Sequence, residues 1–517
     1  MLLNSTSRRS FLQGLGVVGL ASGTMGMPRL AWSAEKSSVT VAIIGEPDTL
    51  DPMVSTKDVV SIVTQHFVET LFTFDGSWKI APLLASELPK ISADGKTYVI
   101  SIREGVPFHD GSIMTADDVV ASLERWLKVA SRGQLVADKV ASVTKTGDHE
   151  VTLKLKSAYS PLLSLLAFSN SAAAIYPKST LAATMTLPIG TGPYKIKEHV
   201  LDQYLQLEKF DKYASRSEPS NGAAGKRAQT MEHIRFVPVA DPNTRVEGTM
   251  SGQFDFADSL PTESYGRLAK SAAAKPVVYE SFGWPVYAIN HKAGLLTDKK
   301  IRQAVQAALP IDDMLFAAFG DEKFYQVDGA MYPKGWVWHN DAGLKLFNQN
   351  NKKKAAKLLK DAGYDGKPLR ILTSHQYEFH FKMTQVAKMA LEAAGFKIHM
   401  DVVDWATLGQ RRNNPALWDI YVTHSPFLPE PALTDMWAKT SRIGWTNPAK
   451  DKTFEEFTTI TELAKRQAAF DELQGDLYED VGFLKIGSFS ALWGQAKGLT
   501  GVPKTPWPFF WNAKLSA

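Results

Sequence analysis

The sequence predicts a mixed α/β protein built on more than one core, for three reasons. The chain has 517 residues, whereas single hydrophobic cores stop growing at ~250–300 residues. Apolar patterns of period 2 and period 3.6 interleave along its whole length, as they do when strands and helices alternate. No internal repeat is present. Two lobes or three domains are the expected division.

The first 34 residues read as an address. Ser7-Arg8-Arg9-Ser10-Phe11-Leu12-Gln13 has the spacing of a twin-arginine export signal, and a glycine-spaced apolar run follows from Gly14 to Met27. A membrane span needs ~20 mainly apolar residues, and this run is shorter and glycine-rich. Cleavage fits after Ser33, with Ala31 as the small residue upstream, or after Ala34. Gly14-Leu15-Gly16-Val17-Val18-Gly19 matches a dinucleotide fingerprint, but it lies inside the signal with no strand before it, so no cofactor is expected. Loss of this segment removes Arg8, Arg9 and Arg29 and brings the net charge from +4 to about +1. That balance gives no reason to invoke nucleic acid or an anionic membrane. The chain contains no cysteine, which excludes disulfides, thiolate catalysis, cysteine-type metal sites and a lipid anchor on cysteine. A freely soluble periplasmic protein, folded before export by the twin-arginine machinery, is the expectation.

The elements follow in chain order. Tyr98, Ile100 and Ile102 alternate with Val99, Ser101 and Arg103, the pattern of a strand with one apolar face, ending at Glu104-Gly105. Asp110-Gly111 supplies a tight turn. Thr115 is an N-cap, with Asp117 and Asp118 at the positive end of the helix dipole. Val119, Val120, Leu123, Trp126 and Leu127 then recur at helical spacing. The polar run Ser215 to Gln229 reads as a surface loop. Gly283-Trp284-Pro285 interrupts the pattern, and Tyr287-Ala288-Ile289-Asn290 starts a new strand. Lys352, Lys353, Lys354, Lys357 and Lys360 form the solvated face of a helix whose other face is Ala355, Leu358, Leu359 and Ala362, ended by Gly363.

One order of residues is narrower than its elements. Arg103-x-Gly105-Val106-x-Phe108-x-Asp110-Gly111, then Thr115-Ala116-x-Asp118-Val119, then a helix to Arg125, resembles the signature of the family 5 extracellular solute-binding proteins. Four further segments match in order: Glu46 to Pro52 after the first strand, Gly190-Thr191-Gly192-Pro193-Tyr194 before another, Ile301-Arg302-Gln303-Ala304 opening a helix that reaches Asp312, and Ala355 to Gly363 before Tyr364. The resemblance implies a two-lobed periplasmic-binding-protein fold, type II and cluster C-like, with an extra small domain on the first lobe. Lobe I would comprise 35–70, 187–283 and 491–517, its accessory domain 71–186, and lobe II 284–490. It also implies a monomeric receptor that passes a small-molecule ligand to the permease subunits of an ABC transporter.

Catalytic constellations are scarce. The chain has no GxSxG elbow, HExxH helix or P-loop, and of its eleven histidines only His375 and His380, five apart in an expected loop, approach metal-ligand spacing. No catalytic residue, metal or cofactor is expected. A twin-arginine-exported enzyme is the competing class, and the missing cysteines and nucleotide motifs weigh against it.

The second half is rich in tryptophan, whose flat face and single N–H suit a cleft closing on an organic solute. Trp284 and Trp405 are the candidates that the resemblance puts at the hinge and at the cleft-facing strand end. Peptide-binding members of the family hold the α-amino group with an aspartate after the second-lobe strand, and short-peptide members hold the carboxylate with an arginine in an earlier loop. Here those places read His424-Ser425-Pro426-Phe427-Leu428 and Ser374-His375-Gln376-Tyr377-Glu378. A buried charge without a counter-charge costs several kcal/mol, so an ordinary dipeptide is disfavoured and a less charged, aromatic or hydroxylated solute, peptide-like or opine-like, is expected. Peptide uptake is the alternative ligand class. Gln376, Tyr377 and His424 would hydrogen-bond the solute, Trp284 and Trp405 would stack on it, and Ser55 would reach it from the first lobe.

Overall fold

The computed structural model describes residues 35–516, so the export-signal reading of residues 1–34 lies outside them. One twelve-stranded sheet runs through the molecule, in the order Ile398–Val402, Leu369–Thr373, Ile420–Pro426, Ala274–Ile289, Ser488–Ala496, Phe256–Leu260, Ser38–Ile43, His233–Pro238, Tyr204–Lys209 and Tyr194–Val200, with Tyr325–Gln326 and Phe483–Lys485 on its flank. Both parallel and antiparallel pairings occur in it.

The strand Ala274–Ile289 joins the two lobes. Its first part pairs with Ser488–Ala496, from Ala274↔Ala496 to Tyr279↔Ala491, and its second part with Ile420–Pro426, from Gly283↔Pro426 to Ile289↔Ile420. The expected interruption at Gly283-Trp284-Pro285 is therefore a change of neighbour within one sixteen-residue strand, marked by a register shift between Tyr279 and Gly283. Glycine is required there because a Cβ on Gly283 would sit 1.9 Å from the Ser425 carbonyl oxygen. The helix expected to run from Ile301 to Asp312 is two helices, Lys299–Ala308 and Ile311–Phe319. Pro310 separates them, since proline cannot donate to the preceding turn.

The signature segment folds as its pattern indicates. Tyr98, Ile100 and Ile102 are buried, Gly105 and Gly111 take positive φ, and Thr115 and Asp118 cap the helix Ala116–Val129 reciprocally, the Thr115 N–H donating to Asp118 at 2.8 Å. Arg125 leaves that helix to reach Asp51, Nη2 to Oδ2 at 2.6 Å, while the Tyr176 hydroxyl donates to the same carboxylate at 3.2 Å. Two of the segments quoted for the resemblance thus meet in a buried ion pair. The run Ser215 to Gln229 carries no helix or named strand, yet Arg227 within it is 4% exposed and pairs with the fully buried Glu69 at 2.9 Å. The lysine-rich helix Lys352–Asp361 buries Ala355 and Leu359 and exposes all five lysines.

Several histidines are buried neutral. Burial holds His66 down at about 3, and His109 and His291 at about 4, against an ordinary 6.5. A folded value below the unfolded one means that the unfolded chain takes up protons first, so stability falls as pH drops from 6.5 towards 4. Each such histidine contributes up to about 1.4 kcal/mol per pH unit in that window. We predict that the urea midpoint falls between pH 7 and pH 5 and that His66→Gln reduces the slope; a flat profile would contradict it.

Candidate ligand cleft

A cavity of about 100 Å³ lies where the two halves of the sheet meet, lined from one side by Thr56, Lys57, Asp58, Arg132 and Asn170 and from the other by residues of 405–442 together with Tyr377 and Val286. Asp58 opens the helix Asp58–Thr64, and Trp405 opens the helix Trp405–Arg411, whose cap Asp404 accepts from Thr407 N at 2.8 Å. Thr423, His424 and Ser425 come from the strand Ile420–Pro426.

Polar contacts cross this cleft. His424 Nε2 lies 3.1 Å from Asp58 Oδ2, and the Trp507 indole N–H donates to Asp58 Oδ1 at 2.8 Å. If His424 donates through Nε2, its Nδ1 accepts from His380 Nε2 at 3.2 Å, which leaves His380 Nδ1 buried without a partner. Burial, and then neighbouring His424, holds His380 well below its ordinary value. An Arg132 guanidinium N–H donates to the Leu433 carbonyl across the gap, and Gln376 Nε2 donates to Ile44 O at 3.2 Å. These bonds describe a closed cleft.

The candidates separate into two groups. Tyr377, Trp405 and His424 line the cavity: the Tyr377 ring meets Trp405 edge-on at 4.9 Å and His424 at 4.7 Å. Ser55, Gln376 and Trp284 do not line it. Ser55 is turned towards its own loop, accepting from Lys57 N at 3.2 Å and lying 3.4 Å from Asp48 Oδ1. Gln376 uses both ends of its amide, accepting from Trp405 N and donating to Ile44 O. Trp284 stacks on Phe483 at 5.9 Å in the second-lobe aromatic core, where its large apolar surface is buried. His380 sits in the helix Glu378–Ala393 rather than in a loop, and its neighbour is His424, not His375.

The sequence reading missed six charged groups at the cavity: Lys57, Asp58, Arg132, Arg412, Asp435 and Arg442. The loop 374–378 contains no arginine, but three arginines line the cavity. Glu430, the first acid after the strand, is not available to a ligand because Arg466 holds it at 2.6 Å in a buried pair.

Residues 79–445 match the model of the bacterial extracellular solute-binding proteins, family 5. The chain is 26% identical over 517 aligned residues to the probable peptide ABC transporter periplasmic-binding protein y4tO of Sinorhizobium fredii, covering 96% of this chain and 97% of that one. It is 24% identical to the glutathione-binding protein GsiB of Pectobacterium atrosepticum, covering 95% and 96%. Among solved structures, the oligopeptide-binding protein AppA of Bacillus subtilis, in complex with a nonapeptide, superposes with a TM-score of 0.81 at 23% identity, over 93% of this chain and 99% of that one. The binding protein AgaA of A. tumefaciens R10, in complex with agropinic acid, gives the same TM-score, identity and coverage. The closed cleft between two lobes and the match over most of the chain lead to one conclusion: this protein belongs to the family 5 extracellular solute-binding proteins.

Proposed function

We propose that this protein is a periplasmic receptor that closes two lobes on a small organic solute and presents the closed form to the permease of an ABC importer. The observation that carries this reading is the cavity lined from both lobes, since a ligand biases an open-to-closed equilibrium only through contacts that differ between the two states. Relatives named for peptide and glutathione binding, and neighbours solved with a nonapeptide and with agropinic acid, support this class of ligand. Within the proposal, lobe I is 35–70, 187–283 and 491–517 with its accessory domain 71–186, lobe II is 284–490, the receptor works as a monomer, and export follows the twin-arginine route.

Tyr377, Trp405 and His424 are the side chains we assign to the solute. Trp405 offers an aromatic face that is only partly covered by Tyr377 and His424. Replacing Trp405 with Ala is expected to weaken binding by about 1–3 kcal/mol. The check is calorimetric titration with whichever member of a panel of peptides, opines, sugars and aromatic acids raises the thermal midpoint. Unchanged affinity in a folded variant would remove Trp405 from the site.

A further inference from the structure

The charges at the cavity do not balance. Arg132, Arg412 and Arg442 face Asp58 and Asp435, while Lys57 is already paired with Asp48 at 3.1 Å. Leaving His424 out of the count, the lining carries one uncompensated positive charge. Arg132 is committed to neutral acceptors, donating to Asn170 O at 3.0 Å and to the Leu433 carbonyl, with its guanidinium over the Phe168 ring. Arg442 donates to Asn413 Oδ1 at 3.0 Å and lies 3.9 Å from Asp435.

Arg412 is the least satisfied. Among the described residues no carboxylate lies within ion-pair distance of it, its one side-chain bond is a long one to Thr56 Oγ1 at 3.4 Å, and its Nε is buried without a partner. Burial, and then the like charge of Arg442, pulls its pKa down to about 10. A guanidinium is a planar fork that pairs with a carboxylate through two N–H bonds. Two such forks, close enough to repel one another, in a cavity closed by both lobes are an arrangement that an anion relieves.

We infer that the solute is an organic anion with one negative charge in excess, and that Arg412 and Arg442 grip its carboxylate while Asp58 and Asp435 face any ammonium it carries. The inference rests on the receptor reading above and narrows it: an amino acid bearing an extra carboxylate, or an acidic imino-acid conjugate, fits, and a neutral or cationic solute of the same size does not. In the closed form the small volume also disfavours a long peptide.

Acid and amide pairs of matched size test it on the full protein: glutamate with glutamine, N-(1-carboxyethyl)alanine with its monoamide, and glutathione with its amide. Thermal shift identifies binders, calorimetry measures them, and scattering reports closure. The expected result is that the acid of at least one pair binds at least tenfold tighter than its amide, and that Arg412→Gln, and separately Arg442→Gln, removes the difference with the fold intact by circular dichroism. An amide that binds as well as its acid, or three acids that all fail to raise the midpoint, overturns the inference. A tight acid that leaves the scattering profile unchanged keeps the anion site and sinks the receptor reading.

Discussion

Asp51→Ala lowers the stability of the first lobe by about 3–5 kcal/mol, the usual cost of removing one partner from a buried ion pair. The carboxylate is 1% exposed and does three things at once. It accepts from Arg125 at 2.6 Å, from the Tyr176 hydroxyl at 3.2 Å, and from Met53 N at 3.1 Å as the cap of the turn Pro52–Val54. Its loss leaves the Arg125 guanidinium buried with carbonyls and a thioether as neighbours. Arg125 comes from the helix Ala116–Val129 and Asp51 caps the turn Pro52–Val54, so the pair ties that helix to the segment after the first strand. Denaturant titration of Asp51→Ala, Arg125→Met and the double variant measures the coupling. The double variant is expected to recover part of the loss, because no uncompensated charge remains. A single-variant loss below about 1 kcal/mol would mean that water reaches the pair.

Asp58→Ala is expected to weaken solute binding by about 2–5 kcal/mol, or roughly 30-fold and more, by destabilising the closed form. Asp58 is bonded to His424 on the opposite lobe, whose side chain is 4% exposed, and to the Trp507 indole. Without it, closure buries both donors unpaired. Removing an acid from a cationic cavity also favours an anion, but both Asp58 oxygens are already engaged, by the His424 ring and by the Trp507 indole, and losing those bonds costs more. The lost latch therefore decides the sign. Tighter binding of glutamate or of N-(1-carboxyethyl)alanine by Asp58→Ala would show that the latch is not needed for closure.

The parts of the fold legible in sequence were those set by local chemistry. The capped helix after Thr115, the glycine turns and the lysine-rich helix all follow from propensity, capping and period. Pro310 and Gly283 were harder, because their effect depends on what lies beside them: Pro310 splits a helix, while Gly283 keeps a strand going against Ser425. Of the residues the sequence reading assigned to the solute, some reach the cavity and some do not. Trp405, Tyr377 and His424 lie at the cavity, whereas Trp284, also read as a cleft residue, packs on Phe483. The arginines were invisible because Arg132, Arg412 and Arg442 belong to segments that only the tertiary fold brings together, and nothing near them in sequence marks them off from surface residues.

Lobe closure on a solute is the central claim, and small-angle scattering of the protein with and without saturating solute, using the tightest acid of the panel, measures it directly. The account predicts that the free protein is more extended than the structure described here and contracts to match it when the solute is added. A radius of gyration unchanged by saturating solute would contradict it.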